Sequence, residues 1–517
     1  MILVWLLAIL GAAAAAAAIA GRWSDAAPRW IALAAVLADF GLTLRIWLRA
    51  GGALRAGGWL RKVDWSWIPS LGIRFHLALD GLSLLLLLLT FSLGAVAVLA
   101  SWRDVRTGVG FFHFNLLWIL AGVAGVFLAM DLFLFYFAWE LMLVPMFFLI
   151  AIWGHERRRY AAVKFFLFTQ LSGLLMLVAI LALALTHRAA TGALTFDYGA
   201  LIATPLGQRA ALWILLGFLA AFTVKLPMFP FHTWLPDAHT EAPTAGSIVL
   251  AGLMLKTGAY GLLRFALPLF PRAARAAAPW LLALAAVGIL YGGLLAFAQS
   301  DLKRLVAYTS VSHMGFVLLG VFLATAAPAG SAAAHWALTG VVLEMLCHGF
   351  STGALFAIAG FLQERLHTRE MARMSGLWAV MPRLSGAGLF FALAAVGLPG
   401  LGNFVAEFLI LLAAYRVSPG LAAAGAIGIL VSTFYGVELV QRAFHGPNRH
   451  GWRVPDMAAR EAWALAPMMA ALLWLGLYPQ PVVRAAGASL RQIEQALAPP
   501  HTAAARLRAP AGKGTAP

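Results

Sequence analysis

Lys225 stands in an apolar stretch, Trp213 to Met228, where Thr223 is the only other polar side chain. A charge at mid-membrane costs ~3 kcal/mol or more. Pro227 and Pro230 follow at once, and a broken helix frees backbone groups that lipid cannot satisfy. The break must therefore line a cavity enclosed by protein. An ionisable amine beside such a break has the chemistry of a charge-transfer site.

Three more charges share its predicament. Glu140, in LFYFAWELMLVPMFFLI, has apolar neighbours on every side. Alone it would be held neutral or serve as a structural hydrogen-bonding carboxylate. Beside Lys225 both groups can stay charged, and moving one partner changes the protonation state open to the other. Such a pair is a switch. Lys256 lies halfway along IVLAGLMLKTGAYGLL, too central to snorkel, so it must be paired, deprotonated or hydrated. That suits the centre of a proton relay. Glu407 closes AVGLPGLGNFVAEF and suits a terminal proton donor or acceptor.

His313 in AYTSVSHMGF and His348 in LCHGFST fall between Lys256 and Glu407 in chain order. A histidine can pass a proton through its two ring nitrogens, although a lone one is often only a hydrogen-bonded core residue. Glu344, one turn before His348 on the same helix face, would tune that histidine or simply hydrogen-bond it. His232 and His239 flank the first break beside Trp234 and Asp237, where capping or turn roles are expected.

These groups need a membrane scaffold. The chain is 62% hydrophobic and 11% charged, and apolar runs long enough to span ~30 Å of hydrocarbon recur from end to end. We expect an all-α polytopic membrane protein of about fourteen transmembrane helices, with no soluble domain. The net charge of +17 is scattered over short loops such as HERRRY (155–160), which reads as positive-inside topology rather than nucleic-acid binding. Loops after odd-numbered spans carry more Lys and Arg, placing both termini outside, although the stretch from Arg45 to Lys62 pulls the other way. The single cysteine, Cys347, excludes an internal disulfide framework and a cysteine-ligated cluster, and it is expected to pack. The N-terminal apolar run lacks a basic n-region and is expected to be a retained first helix.

Two long segments are interrupted by Pro and Gly, 209–236 around Lys225 and 384–416 around Pro399. They lie five spans apart. An odd separation inverts orientation, so we expect two inverted five-helix repeats, each with a broken helix, at 112–270 and 279–443. Three helices would precede them in 1–111, one span would follow at 461–480, and residues 499–517 would be a disordered tail. No Walker loop, dinucleotide fingerprint, HExxH or CxxC is present, and Gly-rich stretches read as helix-packing surfaces.

The segments VKLPMFPFHTWLPDAHTEAPTAGS (224–247) and SDLKRLVAYTSVSHMGF (300–316) closely resemble the antiporter-like subunits of respiratory complex I, which share a fold with Mrp-type cation/proton antiporters. The resemblance covers about residues 75–480. WELMLVPMFFLI with Glu140, ERLHTREMARMSGL (364–377) and LPGLGNFVAEF with Glu407 are most similar to the M-type branch of the NADH–quinone oxidoreductase subunits. Ala406 stands where that branch is expected to carry glycine, and Glu344 matches no residue expected of it. The resemblance implies Glu140–Lys225 as control pair, Lys256 as central relay, His313 and His348 as a water-linked path, and Glu407 as exit. It implies no cofactor in this chain, with FMN, iron–sulfur clusters and quinone chemistry in other subunits. It also implies a bacterial inner-membrane location beside other membrane-arm subunits and lipid. An Mrp-type sodium/proton antiporter or a membrane-bound hydrogenase subunit is the near alternative, and a scaffold with purely structural ion pairs the distant one.

Overall fold

In hydrocarbon every backbone N–H and C=O must find its partner inside the protein, and long helices meet that demand segment by segment. The computed structural model describes residues 1–498, so the expected tail lies outside the described residues. Twelve of its helices are long and apolar enough to cross a membrane, or thirteen if Ala459–Leu477 and Gln480–Ala496, bent by 73°, count as one span. The remaining expected span, 384–416, is split into Pro382–Ala395 and Gly402–Val417, each too short to qualify alone.

Burial sorts these helices into two populations. The apolar stretch of Thr244–Leu269 is 100% buried, and those of Leu302–Ala326 and Ala332–Leu366 are 94% buried, against 28% for Ile2–Ala20 and Pro419–Ala443. Lys256, His313, Glu344 and His348 all lie on the buried set. The outer helices spend their apolar surface on the lipid side, and the inner ones surround polar groups.

The first break runs from Lys225, the last residue of Gln208–Lys225, to the start of Trp234–Glu241. Its loop is closed by Met228 N–H donating to the Thr223 carbonyl at 2.9 Å and by Trp234 Nε1 donating to Val224 O at 3.0 Å. In the second break Gly397 and Gly400 adopt φ of +75° and +93°, a conformation costly for residues with a Cβ. A third interruption was not foreseen. Leu132–Leu141 and Leu143–Trp153 meet at Met142, because Pro145 has no N–H for the Leu141 carbonyl and its ring crowds it. Glu140 sits on that kink. Around Lys256 the helix widens into two π-helical segments, Leu250–Met254 and Leu262–Ala266, where an unbroken α-helix was expected.

The all-α expectation needs one addition. Strands β1 (Arg61–Ile68) and β2 (Ile73–Leu79) form an antiparallel hairpin registered from Arg61↔Leu79 to Ile68↔Ile73. Its turn ends at Gly72, φ +67°, where an added Cβ would lie 2.1 Å from the Leu194 carbonyl oxygen. Asp131 anchors the hairpin by accepting from Arg74 N–H at 3.1 Å, and it caps the Leu132–Leu141 helix through Phe133 and Leu134 N–H. At the other end of the chain, Gln480–Ala496 buries Val482, Ala485, Ala486, Leu490 and Ile493, a one-sided apolar stripe, against the Gly81–Asp104 and Ala332–Leu366 helices.

A buried ion pair ties three core helices together. Asp80 accepts from the Ser83 N–H at 3.0 Å, capping Gly81–Asp104, and pairs with the Arg264 guanidinium. Arg264 also donates to Tyr260 Oη at 3.2 Å, and Tyr260 donates to the Phe127 carbonyl at 3.0 Å. Removing one member of a buried pair leaves an uncompensated charge, at a cost of ~3–5 kcal/mol. Arg264→Leu is therefore expected to lower the thermal midpoint and the amount of folded protein recovered from membranes. Arg264→Leu combined with Asp80→Asn should recover part of both, and a single variant as stable as its parent would show that the pair contributes nothing.

Candidate functional site

The charged residues fall into two groups. In the first, Lys225 ends its helix with a cation where the carbonyl end of the dipole favours one. Its side chain is 1% exposed, and its Nζ has no hydrogen-bond partner. The ammonium instead lies 5.0 Å from the Trp139 ring centroid and 6.0 Å from that of Phe165, within cation–π range. Glu140, next to Trp139 in sequence, is close enough for each charge to be felt by the other. No ion pair within 4.0 Å joins the two. Aromatic rings therefore hold the lysine near its counter-charge without contact. Glu140 also differs from the expectation of complete enclosure: it is half-buried, against Gly173, where a Cβ would stand 2.4 Å from Oε1.

The second group is two hydrogen-bonded pairs whose histidine rings face each other. Lys256 Nζ donates to the Ala251 carbonyl at 2.6 Å and lies 2.6 Å from His348 Nδ1. The carbonyl is available because residues 250–254 are π-helical, so its usual i+4 partner has shifted. The rings of His348 and His313 are 5.6 Å apart. His313 Nδ1 is 2.9 Å from Glu407 Oε1, and His313 Nε2 lies 3.2 Å from Tyr435 Oη. Lys256 and His348 are 0% exposed, and His313 and Glu407 are 2% exposed. Water from bulk has no direct reach to these side chains.

The two groups meet through packing. Gly258, two residues after Lys256, brings its helix so close to Gln208–Lys225 that a Cβ would lie 2.7 Å from the Phe222 carbonyl. Among the described residues no hydrogen bond bridges Lys225 and Lys256. The six expected residues thus form a pair and a cluster of four, parted between the two histidines, rather than one file.

Other placements correct the sequence reading. Glu344 does not serve His348; its Oε1 faces His313 Nδ1 at 3.6 Å, on the Glu407 side. His239 is no cap: it is fully buried, stacked on Phe356 at 4.5 Å with both ring nitrogens unpartnered. His232 packs against Phe229 and Tyr291. Asp237 takes Lys164 at 2.7 Å and Arg304 at 3.2 Å, which pins the first break to two other helices. Tyr435 and Asn403 were missed altogether, since neither carries the charge that makes a residue conspicuous in an apolar run. Cys347 is buried against Gly402.

A bundle with helices broken beside buried, oppositely charged groups defines an ion-translocating membrane protein class. Residues 129–432 match the family described as NADH:quinone oxidoreductase/Mrp antiporter, TM, and the chain belongs to that family. It is 50% identical over 506 residues to NADH-quinone oxidoreductase subunit M of Pseudomonas aeruginosa, covering 96% of this chain and 98% of the relative. It is 47% identical to the Escherichia coli K12 subunit M, over 92% and 94% of the two chains. A chain of respiratory complex I from Thermus thermophilus superposes with a TM-score of 0.86 at 33% identity, covering 96% of this chain and all of that one.

The second break offers a controlled comparison. A Cβ at Gly397 would lie 3.0 Å from Glu407 Oε2, whereas nothing lies within 4 Å of one at Gly400. Both positions have positive φ, so Gly397→Ala and Gly400→Ala should each cost about 1–2 kcal/mol, read as similar drops in thermal midpoint. Only Gly397→Ala is expected to disturb the carboxylate and slow proton transfer. Equal effects on transfer would detach Gly397 from the site.

Proposed function

We propose that this chain is a proton-translocating, non-redox membrane subunit of bacterial NADH–quinone oxidoreductase. The observation that carries this reading is the buried series Lys256–His348–His313–Glu407, with contacts of 2.6 and 2.9 Å at its ends and the two imidazole rings 5.6 Å apart between them. Each member can hold or pass a proton, and each is reached through protein rather than bulk water. A lysine amine, two imidazoles and a carboxyl differ in charge by one proton at every step, so a proton can advance without any group carrying an unpaired charge for long.

Glu140 and Lys225 form the control element. With aromatic rings against the Lys225 ammonium, separation or approach of the pair alters the field on the neighbouring helices. The subunit supplies vectorial transfer alone. Flavin, iron–sulfur and quinone chemistry belong to other subunits of the assembly, and neighbouring membrane-arm subunits and lipid cover the outer helices. The 50% identity to subunit M supports this reading over an Mrp antiporter within the same family.

Glu140→Gln keeps the size of the side chain and removes its charge. In native membrane vesicles, with assembled complex matched to the parent, NADH-driven quinone reduction and proton uptake should fall together by about 100-fold. Full activity with full uptake would make Glu140 a structural carboxylate and leave the series without a switch.

A further inference from the structure

Glu344 is 0% exposed, and neither of its oxygens has a hydrogen-bond partner. It lies on the Ala332–Leu366 helix with its Oε1 3.6 Å from His313 Nδ1, the same nitrogen that is 2.9 Å from Glu407 Oε1. Ligand atoms of His313, Glu344 and Glu407 all fall within 4.8 Å of one another. Two carboxylates at that separation in a dry interior repel strongly unless something positive lies between them. Lys256 is a cation whose charge reaches Glu344, but the group that touches both carboxyls is His313; Asn403, whose Oδ1 is unpartnered, is neutral, as is Tyr435 on the far side of the His313 ring.

We propose that Glu344 and Glu407 form a carboxyl pair that shares one proton at His313 Nδ1, so that the end of the series is a two-carboxyl proton store rather than a single exit group. This rests on the proton-transfer reading above. When the imidazolium N–H bond at Nδ1 breaks, the proton forms an O–H bond on Glu407 Oε1. The neutral acid then donates across to Glu344, or Glu344 receives it directly when Glu407 has released its own. The three groups together keep one net negative charge throughout: the pair carries two beside the imidazolium and one once His313 is neutral. Asn403 Oδ1 offers an acceptor for the acid form of Glu344, which gives the second carboxyl a resting place distinct from the exit position.

The test uses the assembled complex in native vesicles with Glu344→Gln, Glu344→Asp and Glu407→Gln, assembly being checked on native gels. Glu344→Gln is expected to slow coupled proton uptake about tenfold, less than the ~100-fold loss of a sole carrier. Glu344→Asp should retain most uptake. Redox-induced infrared difference spectra should show a protonated-carboxyl band that both glutamine variants diminish. If Glu344→Gln fails to assemble, the aspartate variant must still shift that band. Unchanged uptake and band in Glu344→Gln, with uptake lost in Glu407→Gln, would overturn the shared proton and leave the series standing. Full uptake in Glu407→Gln would overturn the series itself. A stoichiometric divalent cation in the purified complex, lost in Glu344→Gln, would replace the shared proton by a metal.

Discussion

The hydrogen bonds that join Lys256 to His348 and to the Ala251 carbonyl are the contacts around which the interior is arranged. An ammonium in a medium of low dielectric is tolerable only with acceptors already in place. One acceptor comes from an imidazole on a different helix, the other from the lysine's own helix. The second lies in a π-segment, where the Leu255 N–H bonds the Leu250 carbonyl instead and leaves the Ala251 carbonyl to the lysine. Local backbone irregularity thus accompanies the charge, and it lies in the most deeply enclosed span of the bundle. The same demand shapes the rest. Lys225 is held by rings and a helix C-terminus, Arg264 by Asp80, and Asp237 by two cations from other helices.

The irregularities are graded by what they expose. At Met142 a proline removes one hydrogen bond and bends the helix beside Glu140. At the first break eight residues leave helical geometry, yet the Val224 and Thr223 carbonyls are recovered by Trp234 and Met228. At the second break glycines take the positive φ values that let the chain turn over Glu407. Each device frees a small number of backbone groups next to an ionisable side chain, and the first and second breaks reach the surface of the bundle at Phe231 and Leu398. Burying such groups without partners would cost several kcal/mol apiece.

Much of this was legible because lipid makes charge conspicuous. Lys225, Lys256, Glu140 and Glu407 stand out in apolar runs, and the prolines and glycines at 227, 230, 399 and 400 mark the breaks. Legibility failed where the signal was packing rather than composition. The π-segments around Lys256 contain no proline and read as ordinary helix. The face to which Glu344 points depends on how Ala332–Leu366 sits between Leu302–Ala326 and Gly402–Val417, and helical periodicity within one element cannot supply that. The hairpin at 61–79 was within reach, since KVDWSWIPSLGIRFHLAL combines β-branched and aromatic residues with a Pro–Gly turn. A search tuned to spans of twenty apolar residues passes over it.

The direction of transfer through two imidazoles carries its own constraint. A protonated Lys256 has no lone pair, so His348 Nδ1 must accept from it, and the proton of neutral His348 then resides on Nε2. A proton that enters at Nδ1 leaves from Nε2, and the ring is left with the opposite tautomer. His313 has the reverse surroundings: Tyr435 is at Nε2 and the carboxyls are at Nδ1. It therefore receives on the tyrosine side and releases toward the carboxyls. Both rings end a transfer in the wrong tautomer for the next one. Restoring them requires either ring rotation, which close packing at 0% and 2% exposure resists, or a protonation cycle in which Lys256 withdraws and returns. A one-way pump needs this reset as much as it needs the drive, and the carboxylate whose charge Lys256 feels is Glu344, at the far end of the series.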